Sequence, residues 1–277
     1  AGMTLIELTV VLLVLIGLAG LMIPYVGGFV EKTHDSTGAS NLKALNEGLG
    51  RFEAQFMRYP DGLDSMITDD TAGSEVLLDT FMATTPATAY GFSTLELGAA
   101  VVPASGVGFG QGVCWSLNKR GINSSILNVA AAAAGMNGAV NATFDNAADG
   151  DTNLIADTIA FTCGTGTGAV VEVAAANVAE ALSLNDTAGK TYVAFGVGNY
   201  SEMNGRTMQE SPVHFASRGD MAATEKYNRL VAIFEVDPEA TMMGGGSARF
   251  VGSSMVMMGL EGLGGALTRH YEKVNNN

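Results

Sequence analysis

The sequence predicts an α+β protein in which a long apolar N-terminal helix packs on an antiparallel sheet of a C-terminal globular domain. Three observations support this prediction. The chain has no charged residue from Leu8 to Val30. A stripe of apolar residues at helical spacing follows between Leu42 and Phe56, and runs rich in β-branched and aromatic residues occur after residue 190.

The first predicted element is the apolar segment. Leu8 to Val30 is long enough as a helix to cross a hydrocarbon core of about 30 Å. The segment lacks the basic n-region and small-residue cleavage site of a secretory signal peptide. We therefore predict that residues 1–30 form a transmembrane helix. Pro24, Gly27 and Gly28 are poor helix formers and predict a hinge near Pro24 to Gly28.

Glu7 is the only charged residue before Glu31. A carboxylate inside an apolar helix costs roughly a few kcal/mol even on lenient membrane-insertion scales. It needs a positive partner, and the helix directs Glu7 away from the amine of its own chain. The predicted partner is the terminal amine of a neighbouring copy, which predicts a homo-oligomer.

The amphipathic stretch within residues 31–60 is the predicted second half of the long helix. Its apolar residues recur at steps of three and four, and the charged ones lie off that stripe. The stripe is predicted to pack on the sheet of the same chain. The helix is predicted to end at Tyr59-Pro60-Asp61-Gly62, because proline cannot continue it and Asp-Gly favours a turn. The stripe consists of Leu42, Leu45, Leu49, Phe52 and Phe56.

Residues 61–277 are the predicted globular domain. Its clearest strands are Tyr192 to Val197 and Leu230 to Val236, which are predicted to pair in antiparallel fashion. Arg249 to Met258 is a predicted third strand. Ala169 to Leu184 fits either a helix or a strand followed by a helix, and Leu260 to Val274 is predicted to form a terminal helix.

The formal net charge is -14. The excess of acidic residues lies in Asp61 to Lys190, which has 14 acidic and three basic residues. Glu31 to Pro60 has four acidic and four basic residues. Such a surface repels phosphate groups, so nucleic-acid binding is not expected.

Cys114 and Cys163 are the only cysteines. Their separation excludes a CxxC metal or redox motif. We predict a disulfide between them, which implies an oxidising compartment. The alternative is two buried free thiols.

No catalytic set of residues is recognised, so an enzyme is not expected, and no cofactor is predicted. One oxygen-rich motif resembles the first half of an EF-hand loop. Leu154 stands where that loop needs glycine, and Ala160 stands where it needs glutamate. An ordinary solvated acidic loop is therefore favoured, with calcium as the alternative. The motif consists of Asp149, Asp151, Asn153 and Asp157.

Two short segments resemble known families. Gly2 to Leu8 (GMTLIEL), with the apolar run and Pro24, resembles the class III signal junction of type IV prepilins. This resemblance implies a pilin fold, a prepilin peptidase that cuts after Gly2, a methylated N-terminal Met3, and a Glu7 that neutralises the amine of an adjacent subunit. Arg51 to Leu63 (RFEAQFMRYPDGL) resembles the end of the first helix in major pseudopilins of type II secretion systems, a family in which calcium sites are known.

The expected function is therefore that of a structural subunit of an extracellular type IV pilus-like filament, polymerising through its N-terminal helix. The first alternative is a type II secretion system pseudopilin, and the second is a membrane-anchored extracytoplasmic binding protein. The implied partners are copies of the chain, the prepilin peptidase and the pilus assembly machinery. The expected location is the inner membrane before assembly, then an extracellular filament or a periplasmic pseudopilus.

Overall fold

The structure is a computed structural model, and it describes residues 5–69, 76–77, 91–98, 109–127, 157–163, 168–198, 200–212, 214–215, 227–256 and 260–262. The helices in these ranges are α1 (Leu5–Phe56), α2 (Phe109–Asn118) and α3 (Ala175–Leu182). The strands are β1 (Leu63–Asp64), β2 (Ile67–Asp69), β3 (Val76–Leu77), β4 (Phe92–Glu96), β5 (Ser124–Leu127), β6 (Asp157–Ala160), β7 (Ala169–Val173), β8 (Thr191–Gly196), β9 (His214–Phe215), β10 (Tyr227–Val236), β11 (Arg249–Val256) and β12 (Leu260–Gly262).

The main sheet is mixed, so the predicted fold class with its antiparallel sheet is wrong. The sheet has ten strands. Seven lie in the order β12-β11-β10-β8-β1-β5-β6; of the other three, β7 pairs with β8, β4 pairs with β7 and β9 pairs with β10. The strands β1 and β5 are parallel, Leu63 pairing with Ser125. The long connection between them contains α2, and a crossover of this kind brings the chain back in the same direction. Strands β2 and β3 form a separate pair.

Several predicted elements are present. The strands predicted after residue 190 are β8 and β10, which pair antiparallel from Thr191 with Val236 to Gly196 with Val231. The predicted third strand is β11. Ala169 to Leu184 contains β7 followed by α3, the second of the two predicted alternatives. The predicted terminal helix is wrong where it can be checked, because β12 is a strand that pairs with β11.

The helix α1 differs from the predicted hinged membrane span in two ways. It is continuous from Leu5 to Phe56, so Pro24, Gly27 and Gly28 do not interrupt it. In the parts of the chain that the structure describes, no helix is both long and apolar enough to cross a membrane. The prediction of a membrane-spanning helix is corrected accordingly.

The second half of α1 packs on the body through its apolar stripe. Leu42, Leu45, Leu49 and Phe52 are fully buried. Polar contacts to β11 accompany this packing, because the backbone N–H of Ser253 donates to Asn46 Oδ1 (2.9 Å) and the Ser253 hydroxyl donates to the Leu42 carbonyl (3.2 Å). These contacts fix both the position and the rotation of the helix on the sheet.

An ion pair holds the chain just after the end of α1. The Arg58 guanidinium donates to both carboxylate oxygens of Glu202, at 2.6 and 3.1 Å, and the backbone N–H of Asp61 donates to the same carboxylate at 3.0 Å. The hydrogen bond from Arg58 lowers the pKa of Glu202 below its usual range. Gly62 follows with φ +68° and lies against the Tyr200 carbonyl, which leaves no room for a side chain.

Tyr59 forms a second anchor beside this ion pair. Its hydroxyl donates to Glu53 Oε1 (3.2 Å) and accepts the backbone N–H of Phe250 (2.9 Å). The Arg120 guanidinium contacts the Glu53 carboxylate and lies 4.7 Å from the centre of the Tyr59 ring. Burial raises the pKa of Tyr59, so the hydroxyl stays protonated and keeps its donor. The end of α1 is therefore tied to β11 and to the residues after α2.

The predicted disulfide is present. Cys114 in α2 is bonded to Cys163, three residues after β6, with their Cα atoms 5.5 Å apart. The Asn118 side-chain amide donates to Cys163 Sγ at 3.1 Å. The bond joins residues 49 positions apart, and it ties α2 to the sheet.

Reduction of this disulfide should lower the free energy of unfolding by about 4 kcal/mol, because the closed loop restricts the unfolded chain. The measurement is the thermal unfolding midpoint of the full chain with and without a thiol reductant. A Cys114→Ser/Cys163→Ser variant is the control and should show no response to reductant. Equal midpoints for the reduced and oxidised wild-type chain would contradict the prediction.

Glu202→Gln should destabilise the protein by roughly 1.5–3 kcal/mol at neutral pH, the usual range for a hydrogen bond to a charged group. Folding lowers the pKa of Glu202. The contribution of its carboxylate to stability is therefore complete above the unfolded pKa of about 4.3 and is lost as the pH falls through the lower folded pKa. Urea unfolding between about pH 3 and pH 7 should therefore show a smaller acid loss in the variant than in the wild type. Asp186→Asn, at an exposed ion pair with Lys190, is the control and should leave the profile nearly unchanged.

Candidate functional site

The N-terminal half of α1 is an exposed apolar surface. Every residue from Leu5 to Gly20 is exposed, and so is Met22. The exposed fraction of the large apolar side chains is 80% at Leu5, 74% at Leu13 and still 50% at Leu8. Contiguous apolar surface of this kind usually marks a site of interaction with another molecule.

The same helix thus changes from exposed to buried along its length. Leu12 and Leu13 are exposed, whereas Leu42 and Leu45 are fully buried by the body of the protein. A helix that is apolar on all sides is normally surrounded by other apolar groups. The first half is apolar on nearly all sides and has no such cover among the described residues, whereas the second half is amphipathic and its apolar stripe is covered by its own chain.

Glu7 lies in the first turn of α1. An acidic side chain is favoured there because the N-terminal end of a helix carries a partial positive charge. Thr9 completes this polar turn by donating its hydroxyl to the Ile6 carbonyl at 2.9 Å. The polar side chains of the described segment are therefore Glu7 and Thr9, both near its start.

Over the described residues, the other large apolar side chains that are exposed form a second group. Phe56 was predicted to belong to the buried stripe but is 40% exposed, and the sequence analysis did not predict exposure of the other four. Members of this group belong to the end of α1 and to two loops, and their pattern has no helical or strand period. The available signal was a Met-Met pair between the turn residues Pro238 and Gly244. The group consists of Phe56, Met57, Tyr200, Met242 and Met243.

The predicted processing and hinge residues are only partly described. Gly2 and Met3 lie outside the described residues, so the predicted cut and methylation stay predictions. Pro24, Gly27 and Gly28 lie within the helical backbone of α1. The amine predicted to pair with Glu7 also belongs to the undescribed start of the chain.

The predicted calcium ligands are not brought together by anything that the structure describes. Asp149, Asp151 and Asn153 lie outside the described residues, and Asp157 begins β6. Over the described ranges, no group of three or more His, Cys, Asp or Glu side chains is arranged to hold a metal ion. Calcium at this motif therefore stays an untested alternative.

Comparison with known proteins gives one informative similarity. Type II secretion system core protein G of Aeromonas hydrophila is 35% identical to this chain over 78 residues, which are 27% of this chain and 54% of that protein. The matched part thus spans about half the length of that curated relative. No family model matches the chain, and no solved structure matches it.

This similarity supports the resemblance to the pilin and pseudopilin family at a coarse level. It does not show the class III prepilin junction at Gly2, and it does not show a pilus in particular. The chain is thus similar over part of its length to a type II secretion core protein, and it carries an exposed apolar helix at its N-terminal end.

Proposed function

We propose that the chain is a structural subunit of a pseudopilin-type filament, and that copies of it assemble through the N-terminal half of α1. The observation that carries the proposal is the exposure of this half, whereas the described part of the body has a buried apolar core. The similarity to a type II secretion core protein favours the pseudopilin kind of filament over a surface pilus.

The energetics favour assembly. Twelve large apolar side chains between Leu5 and Met22 are exposed. Burying one such side chain completely is worth about 1.5–3 kcal/mol. Association costs about 4–15 kcal/mol in lost freedom of motion, so burial of most of these side chains would exceed the cost.

The shape of the surface favours other copies of the same segment as its partners. A single groove in a partner protein would cover one side of this helix and leave the other side exposed. A bundle of like segments covers each of them on several sides. When the contacting surfaces of two copies differ, repetition of the contact gives an open helical polymer rather than a closed dimer.

The proposed role is structural rather than catalytic, with no cofactor and no nucleic-acid partner. The proposed partners are copies of the chain and the secretion machinery that assembles them, with prepilin peptidase cutting after Gly2 and methylation of Met3 as the proposed processing. Mass spectrometry of the N-terminal peptide tests the processing. Recovery of the polymer in the cell-envelope fraction is expected for a pseudopilus, whereas its release by shearing would instead indicate a surface pilus.

A Leu13→Asp/Ile16→Asp variant should form no polymer while its body stays folded. Both side chains are exposed, so two charges there disturb only the surface proposed for assembly. The measurements are sedimentation and negative-stain electron microscopy for the polymer, and the thermal midpoint for the body. Asn185→Asp/Ala188→Asp adds the same two charges at exposed sites on the body and should assemble normally. Equal polymer yields from both variants would overturn the proposed function.

Glu7→Leu should also block assembly, although it makes the segment more apolar. The proposed role of Glu7 is to set the register between copies by pairing with the terminal amine of a neighbour. Polymer yield is measured as for the aspartate variant, and Thr9→Val, which removes a neighbouring polar group, serves as the control. Normal filaments from the Glu7→Leu chain would refute the register role but not the apolar contact.

A further inference from the structure

The connection between β10 and β11 carries a group of carbonyl oxygens that faces a lysine ammonium. We call residues 237–248 the β10–β11 loop. The Lys119 ammonium donates to the Gly244 carbonyl at 2.6 Å and to the Gly245 carbonyl at 3.2 Å, and it lies 3.4 Å from the Gly246 carbonyl oxygen. An ammonium group has three N–H donors. Three successive carbonyls therefore match one cation in number.

The backbone N–H groups of this glycine turn are already used inside the loop. Glycine-rich turns often bind phosphate through such N–H groups. Here the Gly244 N–H donates to the Thr241 hydroxyl at 3.0 Å, and the Gly246 N–H donates to the Asp237 carboxylate. Because the donors point into the loop and the carbonyls point at Lys119, the turn has the polarity of a cation site.

The shape of the turn is fixed by the loop itself. Gly245 has φ +83°, and an added Cβ there would lie 2.7 Å from the Ala240 Cα atom. Glycine adopts such a backbone at no steric cost, whereas other residues do not. The Thr241 backbone N–H also donates to the Gly244 carbonyl at 2.8 Å. These contacts hold the carbonyls in position.

One face of α2 brings Lys119 to the loop. Gly112, Ser116 and Lys119, which comes directly after α2, are spaced by four and three residues and so lie on one side of the helix. Gly112 lies against the Pro238 carbonyl, with no room for a side chain. The Asp237 backbone N–H donates to the Ser116 hydroxyl at 3.0 Å. The ammonium is thus the last of three contacts along one packed face.

We propose that the β10–β11 loop is a cation site that the chain fills with its own Lys119 ammonium, and that the emptied site selects a primary ammonium over a metal ion. Calcium takes six to eight oxygen ligands at about 2.3–2.6 Å. The Gly245 and Gly246 oxygens lie 3.2 and 3.4 Å from the Lys119 nitrogen, distances that suit N–H donors. The Asp237 carboxylate is occupied by N–H groups of the loop. This site concerns the body and goes beyond the proposed role in assembly.

Two variants of the full chain test the site. Lys119→Ala removes the ammonium and leaves space beside the carbonyls, whereas Lys119→Met fills much of that space without an N–H donor. Both should raise the amide hydrogen-exchange rate of the β10–β11 loop severalfold in mass spectrometry, because the carbonyls lose their partner. Lys43→Ala, which removes an exposed ion pair with Glu47, is the control and should leave the exchange of the loop unchanged.

Added propylammonium should restore slow exchange in the Lys119→Ala chain. Lys119 is exposed, so a solute can reach the emptied site. Tetramethylammonium carries the same charge without an N–H group, and at matched ionic strength neither it nor Ca²⁺ should restore slow exchange. Propylammonium should have no effect on the Lys119→Met chain, whose side chain fills the space.

A loop that exchanges as slowly in either Lys119 variant as in the wild type overturns the cation site, because the ammonium would then not hold the loop. Rescue by Ca²⁺ or tetramethylammonium as effective as rescue by propylammonium, or no rescue by propylammonium, overturns its selectivity. Faster exchange of the wild-type loop in EDTA would show a bound metal and also overturn the proposal. Polymer yield enters none of these measurements, so their outcome is separate from that of the proposed function.

Discussion

The packing of the second half of α1 against β11 is the interaction on which the rest of this structure depends. Four apolar side chains from Leu42 to Phe52 are fully buried there, and Ser253 adds two hydrogen bonds to the helix. Burial of this stripe holds one end of a 52-residue helix in place. The other end is then presented to the surroundings in a fixed direction, which an isolated helix of the same composition would not achieve.

The anchors at the end of α1 make that arrangement rigid. Arg58 with Glu202 and Tyr59 with Phe250 connect the helix end to distant parts of the chain. The disulfide fixes α2, and Arg120, just after α2, reaches Glu53. Each anchor joins residues that are far apart in sequence. A force applied to the exposed half of α1 in a polymer would therefore be carried into the sheet rather than into a single turn.

The apolar surface of α1 has two parts. One part is buried when the subunit folds, and the other stays exposed and can contact partners. The apolar stripe that begins at Leu42 packs on the sheet and is buried. The side chains from Leu5 to Gly20 have no such cover among the described residues. Solubility of the body is helped by the net charge of -14, which opposes nonspecific association. Association is thereby directed to the few exposed apolar sites.

The sequence by itself determined the local elements. The spacing of Leu42 to Phe56 predicted a buried stripe, which holds as far as Phe52. The β-branched runs predicted β8 and β10, and the two cysteines predicted their own pairing. Each of these signals depends on near neighbours or on a single alternative. The tertiary structure alone decided the mixed sheet, since the parallel pairing of β1 with β5 depends on the path of a long connection. It also decided that α1 continues through Pro24 and that Met242 and Met243 are exposed, because continuity and exposure depend on what the rest of the chain places around a residue.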